Sequence, residues 1–487
     1  MEVTTIGMLC AVLCIGVVMR PLTLGMLLFA GFLPLQTAAA INLPAVGGSS
    51  ISCAHFMLGA FGLALLLRPS LLTYVLNRSL HNRAFQLFAL FVAYALFSAY
   101  FMPAVFGGAV EVYSFERVPE GEYQGTVLLH RTTSNLTQSV YLFANLLAFG
   151  IFSGMLMRPG GTTTISRMLT VTTSVHIFFG VLELIPLGAL TSPIFEFIRT
   201  ANYAILVDHE IAGVRRIIGS YTEASLFGTV SVGLLAFNAL RFFQTRSLGY
   251  GVFAFLLALL SMLSFSTTAY AAIGIALVLI LTQSMVTSLF NGIRREDLTL
   301  LILNAIATIF VLLLLLYPPM QEVGARFYDA IFGSKLTSDS GVERAAWSER
   351  AISNAFETNG FGVGLGSAKG SGAASALLSN TGFLGFALYI LFLIAAVFHP
   401  APRVDRNSSR SAFLARRLFI ALRGSVTVLM IALLISATTV DPGIIFIVMA
   451  AMANVVGRRV KSPFDVEDVQ PAPRSVDPMP GVRAAKA

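Results

Sequence analysis

The residues best suited to chemistry stand close together in two stretches of an otherwise apolar chain. The first, GVERAAWSERAISNAFETNGFGVGLGSAKGSG (Gly341 to Gly372), holds the only tryptophan, Trp347, with Arg344, Arg350, Lys369, Glu343, Glu349 and Glu357. The second, Thr200 to Glu223, carries the pair Arg215 and Arg216 about two helical turns ahead of Glu223. A guanidinium group binds phosphate through two parallel N–H donors, and beside a membrane the expected anion is a lipid phosphate or diphosphate. The structural alternative is interfacial anchoring, with Arg215 or Arg216 paired to Asp208 or Glu210. Closely spaced glycines in GVGLGS (Gly362 to Ser367), Gly364 and Gly366 among them, would let backbone N–H groups approach an anion ahead of a helix starting near Ala373, with Lys369 as an added cation. A flexible re-entering loop is the alternative. That segment follows no strand and opens no βαβ unit, which excludes a dinucleotide fingerprint. Trp347 could stack on a sugar ring or mark the bilayer interface. Glu183, in GVLELIPLG, lies in or at the end of an apolar run. A carboxylate there either lines a polar cavity or has an ion-pair partner.

The elements that must position these groups are membrane spans. With 56% hydrophobic and 11% charged residues and a mean hydropathy of +0.80, the 487 residues carry about half the charge that a soluble surface needs. Apolar windows of span length predict an all-α polytopic membrane protein with twelve or thirteen helices, near Thr4–Met19, Leu22–Ala40, Ile51–Leu67, Phe85–Val105, Ser139–Met157, Leu169–Leu187, Ala224–Leu240, Gly251–Phe265, Ala269–Leu289, Leu298–Tyr317, Ala373–Phe398, Leu418–Ser436 and Gly443–Val456. The SFSTTAY break splits the run from Tyr250 to Met285 into a tight hairpin. The N-terminus lacks the basic region of a cleaved signal and is expected to be retained as the first span. Cys10, Cys14 and Cys53 sit inside apolar runs as packed thiols, with neither a disulfide framework nor a zinc site expected.

The formal net charge of +8 belongs mostly to short turns, which removes the case for nucleic-acid binding. Turns carrying Arg68/Arg78/Arg83, Arg158/Arg167, Arg241/Arg246, Arg294/Arg295, Arg403/Arg406/Arg410/Arg416/Arg417 and Arg458/Arg459/Lys461 fall on one side when the helices alternate. The positive-inside rule makes that side cytoplasmic. The loops 106–138, 188–223 and 318–372 are then external. Residues 1–460 form the membrane domain and 461–487, rich in proline and charge, a disordered cytoplasmic tail.

In this order, R-R-x-x-G-S-Y-T-E-A-S-x-F-G (Arg215 to Gly228), the small-residue hairpin LSFSTTAYAAIGIAL (Leu263 to Leu277), and E-R-A-A-W followed by N-G-F-G-V-G-L-G-S and L-L-S-N-T-G-F-L-G (Glu343 to Gly385) resemble the O-antigen ligase and polymerase superfamily of bacterial envelope enzymes. The resemblance implies a C-type glycosyltransferase fold in the inner membrane, with a large external loop between late helices. It implies that glycans carried on undecaprenyl diphosphate are joined at the periplasmic face without metal or cofactor. Its further implied partners are the lipid bilayer and a chain-length regulator. Arginines of the two loops would hold the diphosphate leaving group, drawn here from Arg215, Arg216, Arg344 and Arg350, with Lys369, Trp347, Gly364 and Gly366 completing the substrate site. A carboxylate or histidine would assist the incoming hydroxyl, and Glu223, Glu343 and Glu183 are the candidate carboxylates. Ligases of the family typically carry a loop histidine, whereas Gly333 through Gly385 contains none and the external loops hold only His130 and His209. That departure favours a repeat-unit polymerase, with a ligase as the alternative. A flippase would show repeat halves and short external loops, against the long loop here.

Overall fold

A computed structural model describes residues 1–45, 47–116, 125–185, 188–203, 205–206, 210–211, 214–275, 339–398 and 410–461. The expected span Leu298–Tyr317, the later part of Ala269–Leu289, the first part of the large loop, and the tail beyond Lys461 lie outside these residues. So do the turns carrying Arg294/Arg295 and Arg403/Arg406, His209, and Asp208, an expected partner of Arg215 or Arg216.

The chain is mostly helical, as its apolar runs require. In order come α1 (Thr5–Met19), α2 (Leu22–Phe32), α3 (Cys53–Leu66), α4 (Pro69–Leu80), α5 (Arg83–Val105), α6 (Thr133–Met155), α7 (Gly161–Leu184), α8 (Gly188–Ile198), α9 (Ala224–Thr245) and α10 (Leu248–Leu263). A helical segment over 267–275 follows. Then come α11 (Asp339–Glu357), α12 (Ala373–Ala396), α13 (Arg410–Ser436) and α14 (Ile444–Lys461). Boundaries follow local chemistry. Thr4 caps α1 through Gly7 N at 2.9 Å, Ser52 caps α3 through His55 N, and Thr132 with Asn135 forms a capping box on α6.

Among the described residues six helices (α5, α6, α7, α9, α12 and α13) are long and apolar enough to cross a membrane, or seven if the bent pair α3–α4 counts as one span. The protein is thus a multi-pass membrane protein by helix length and composition. This count is of the described residues, outside which Leu298–Tyr317 and most of Ala269–Leu289 lie, and it leaves out the shorter apolar helices α1, α2 and α10. Helix α2 has 11 residues and stops before Pro34, so the window to Ala40 is helix followed by strand. The window ending at Leu67 becomes α3, which turns through 114° into α4, a helix that hydropathy did not predict. Helix α4 begins at Pro69, a residue well placed at a first helical position.

Short strands occupy the connections: an antiparallel sheet of β1 (Glu2–Val3), β2 (Ala39–Leu43) and β3 (Ser49–Ser52), and the hairpins β4 (Glu111–Val112) with β5 (Val127–Leu128) and β6 (Glu210–Ile211) with β7 (Val214–Arg215). Helix α14 is the most enclosed. No residue from Ile444 to Val456 exceeds 4% exposure, which explains why it is apolar on every side.

Contacts between connections define two ends of the bundle. Arg68 donates to Val18 O (2.6 Å), Arg458 to Arg78 O, Arg459 to Leu156 O (2.9 Å), and Arg417 to Gln244 O (2.6 Å). The described basic turns therefore bind one another's carbonyls at one end. At the other, Thr200 and Ala201 donate to Thr37 O, Lys369 N to Tyr113 O, and Gly372 N to Ala437 O. Both arginine-bearing stretches are at this second end.

Candidate functional site

The stretch from Thr200 to Glu223 is built around Glu183, at the end of α7. Its Oε1 accepts from Arg199 at 2.8 Å and lies 3.8 Å from Arg215, while its Oε2 accepts Ile218 N at 2.8 Å and Gly219 N at 2.6 Å. Only 6% of the Glu183 side chain is exposed. Glu183 is thus occupied in holding two backbone donors, Arg199 and, by charge, Arg215. Its expected catalytic role is therefore corrected to that of a positioning residue, the ion-pair reading of its membrane location. Arg199, which the sequence reading did not single out, also donates to Gly219 O at 2.7 Å and lies 4.1 Å over the Phe195 ring. The Glu183–Arg199 pair thus clamps the turn that follows Arg216 from both its N–H and its C=O side.

The rest of the Arg215 to Gly228 motif holds the two arginines in place. Gly219 has φ +55°, and a Cβ there would stand 3.0 Å from the Phe227 ring, so glycine is required. Tyr221 is fully buried and its hydroxyl lies 3.0 Å from His176 Nδ1, whose ring stacks on Phe227 and reaches Ser231 Oγ at 2.7 Å. His176, inside the α7 apolar run, had no local sequence signal. Gly228 admits the SFSTTAY hairpin, since a Cβ would meet Ser264, Ser266 and Ala269 at 3.0 Å each.

The two arginines separate. Arg215 is 52% exposed, whereas Arg216 is 7% exposed and donates from Nε to Ser264 O at 3.1 Å. Burial pulls the Arg216 pKa down, while the charges of Glu223 and Tyr270 hold it up, and an arginine remains ionised against such a shift. Glu223 is half-buried at the N-cap of α9 without a side-chain cap bond. Arg216 and Glu223 are therefore brought together, as the two-turn spacing anticipated.

The stretch from Gly341 to Gly372 divides differently. Arg350 donates to Glu111 O at 2.7 Å and pairs with Glu357, which ties α11 to the β4 strand. Lys369 Nζ lies 5.1 Å over the Trp347 ring, with its pKa lowered by burial and raised by Glu343. Trp347, Arg344 and Ser348 share a face of α11, and Ser348 donates to Ser371 O, so this face looks at the Lys369 loop.

The glycine loop is a correction to the expected anion cradle. Gly366, Ser367 and Ala368 do aim three consecutive N–H groups at one point, at 3.0, 3.1 and 3.2 Å, but the group they hold is Asn380 Oδ1. Gly364 N donates to Asn380 O and Val363 N to Ser379 O. Gly364 and Gly366 therefore serve internal packing: a Cβ would stand 2.7 Å from Ser98 O at the first and 2.6 Å from Ser134 O at the second. The carbonyls they satisfy belong to a break in α12 at Gly382 (φ 61°, ψ −165°), where a Cβ would overlap Gly360 O. N-G-F-G-V-G-L-G and L-L-S-N-T-G-F are thus two halves of one joint, a helix break whose freed carbonyls are hydrogen-bonded within protein.

One more carboxylate at this end escaped the sequence reading. Asp441, in the turn between α13 and α14, accepts Asn145 Nδ2 at 2.6 Å and Gly443 N at 2.8 Å, and burial raises its pKa. The signal was its isolation: T-T-V-D-P-G places a single charge between two apolar helices. His130 is exposed and pairs with Glu116 at 3.3 Å. Among the described residues no three His, Cys, Asp or Glu side chains converge as a metal ion would need.

No protein-family model matches the chain, and comparison with characterised proteins finds no match.

Proposed function

We propose that this protein is a membrane glycosyltransferase that polymerises undecaprenyl-diphosphate-linked oligosaccharide repeat units at the periplasmic face of the bacterial inner membrane, toward an exopolysaccharide or O-antigen. The observation that carries this reading is Arg216, an arginine 7% exposed beside a half-buried Glu223 at the end of the bundle away from the basic turns. Ser264 O and the charge of Glu223 hold Arg216 in place, and a diphosphate leaving group is the anion that the motif resemblance would bring to a cation so preorganised.

In the proposed reaction the acceptor sugar hydroxyl attacks the anomeric carbon of the donor glycan. The new C–O bond forms as the bond from that carbon to the diphosphate oxygen breaks, and the electron pair leaves on the diphosphate. Arg216, with Arg215 and Arg344, stabilises the developing charge there, work that a preorganised cation does well in a dry site. A carboxylate takes the hydroxyl proton. Glu223, beside Arg216, and Glu343, beside Lys369, remain the candidates, since Glu183 is occupied in holding Arg199 and two backbone donors. Lys369 and Trp347 offer a cation and a ring face to the substrate, while Arg350 shapes the loop through Glu357 and Glu111.

Two experiments test this reading in cells. With the basic turns cytoplasmic, cysteine introduced at exposed Thr126 should react with an impermeant maleimide in spheroplasts and cysteine at exposed Ser247 should not. The native Cys10, Cys14 and Cys53 are buried and should stay silent. Reversed labelling would place both arginine regions in the cytoplasm and end the proposal. A deletion strain should accumulate single repeat units on the carrier and no long polymer. Full-length polymer still attached to undecaprenyl diphosphate would instead identify a ligase.

A further inference from the structure

The turn that joins α11 to the glycine loop lies deep beside two spans. Asn454 of α14 bonds both Asn82, the N-cap of α5, and Ala395 O near the end of α12, so these helix ends are level at the basic end of the bundle. Tyr94 stands midway along the 23-residue α5, and Phe383 near the middle of the 24-residue α12. At 1.5 Å per residue both lie roughly 16 to 20 Å from that end, half-way or more through about 30 Å of hydrocarbon. Tyr94 Oη donates to Phe361 O at 3.1 Å, Phe383 N donates to Gly360 O at 2.9 Å, and the Phe356 and Phe383 rings meet edge-on at 5.6 Å. The end of α11 is therefore level with the middle of two candidate spans.

Non-helical backbone persists at that depth only where protein satisfies its polar groups. Every N–H from Thr358 to Lys369 has an acceptor, Thr358 Oγ1 for Gly362 N and Ser98 Oγ for Leu365 N among them. Gly362 to Ala368 are all buried. The only charge between Ala351 and Ala368 is Glu357. Its partner Arg350 reaches back to Glu111 O of β4, which draws that charge toward the membrane surface. Around the turn Phe356, Phe361, Phe383 and Leu384 are each at least 47% exposed. They continue the outer face of α5, where the stacked rings of Phe97 and Phe101 follow Tyr94 at one and two turns.

We propose that Ile352 to Phe361 re-enters the membrane from the end away from the basic turns and presents Phe356 and Phe361, with Phe383 and Leu384, to lipid acyl chains. An exposed apolar patch of this kind marks an interaction surface, and its continuity with two spans makes hydrocarbon its occupant. The stretch 318–372, expected to be external throughout, is then anchored at its centre by a fixed intramembrane turn. Nothing in this placement depends on the proposed transfer reaction.

The test is spin labelling of the full-length protein in vesicles of phosphatidylethanolamine and phosphatidylglycerol. One nitroxide is placed at Phe356→Cys or Phe361→Cys, with the buried native cysteines left in place. Collision with oxygen, which partitions into hydrocarbon, is compared with collision with a water-soluble nickel chelate. The ratio at both positions should be several-fold higher than at Thr126→Cys, between β4 and β5, and should match that at Leu391→Cys on the exposed side of α12. In parallel the unmodified protein is treated with a carbene-generating diazirine dissolved in the bilayer, and peptide 351–361 should carry label as the spans do. Nickel access at 356 and 361 equal to that at Thr126 would place the turn in water and overturn the proposal. Low collision with both reagents, or a wild-type peptide 351–361 without label, would mean that protein covers the patch, a second copy included, and would overturn it equally.

Discussion

Replacing Arg216 by alanine is expected to lower glycan transfer by roughly ten- to hundredfold or more, the rate equivalent of one charge-assisted hydrogen bond of about 1.5 to 3 kcal/mol. Arg216→Lys should recover little, because an ammonium group cannot reproduce the planar fork of donors. A merely structural Arg216 would behave differently. Its Nε bond to Ser264 O anchors the SFSTTAY hairpin, so a structural loss would appear as a lowered melting temperature and reduced membrane insertion. Turnover is therefore to be measured per correctly folded molecule, by single-turnover kinetics on a synthetic lipid-linked oligosaccharide. Full activity in Arg216→Ala would remove the arginine mechanism.

The second large effect is expected at Glu183, with the opposite signature. Removing one member of a buried ion pair leaves the other uncompensated and costs about 3 to 5 kcal/mol. Glu183 serves Arg199, Arg215 and two backbone donors at once. Glu183→Ala should therefore lower the melting temperature and open the turn at 216–220 to proteolysis. Glu183→Gln should do so less, because the amide oxygen still accepts one of these bonds. Its activity should decline in step with the melting temperature. A Glu183→Gln protein that melts like the wild type yet transfers no glycan would return Glu183 to the catalytic group.

The sequence reading and the structure agree where a residue's role depends on near neighbours. Arg216 and Glu223 are seven positions apart, and a strand-to-helix junction was enough to bring them together. The gathering of the described basic turns at one end follows from alternating helices and was legible from their positions alone. The partners of Glu183 were not: Arg199 lies beyond α8, a helix formed around Pro193, and Gly219 and Ile218 belong to a later turn. The glycine loop was misread because its three N–H groups have the geometry of an anion nest. What fills the nest is an amide 12 to 14 residues downstream, presented by a helix break that hydropathy cannot reveal. The extent of the Leu22–Ala40 span was overestimated because its apolar window continues past Pro34 into a strand, and a window average reports burial and not backbone conformation. His176 and Asp441 illustrate the remaining gap, being single polar residues whose side-chain partners lie 45 or more positions away.

The most direct measurement is elongation by the purified protein itself. Detergent-solubilised wild-type chain is incubated with a synthetic undecaprenyl-diphosphate oligosaccharide repeat in the presence of EDTA, and products are resolved by length. The proposed function predicts a ladder of lipid-linked multiples of the repeat, formed without added metal and built roughly ten- to hundredfold or more slowly in Arg216→Ala. A preparation that is folded and binds the lipid-linked repeat, yet yields no product longer than one repeat, would contradict it.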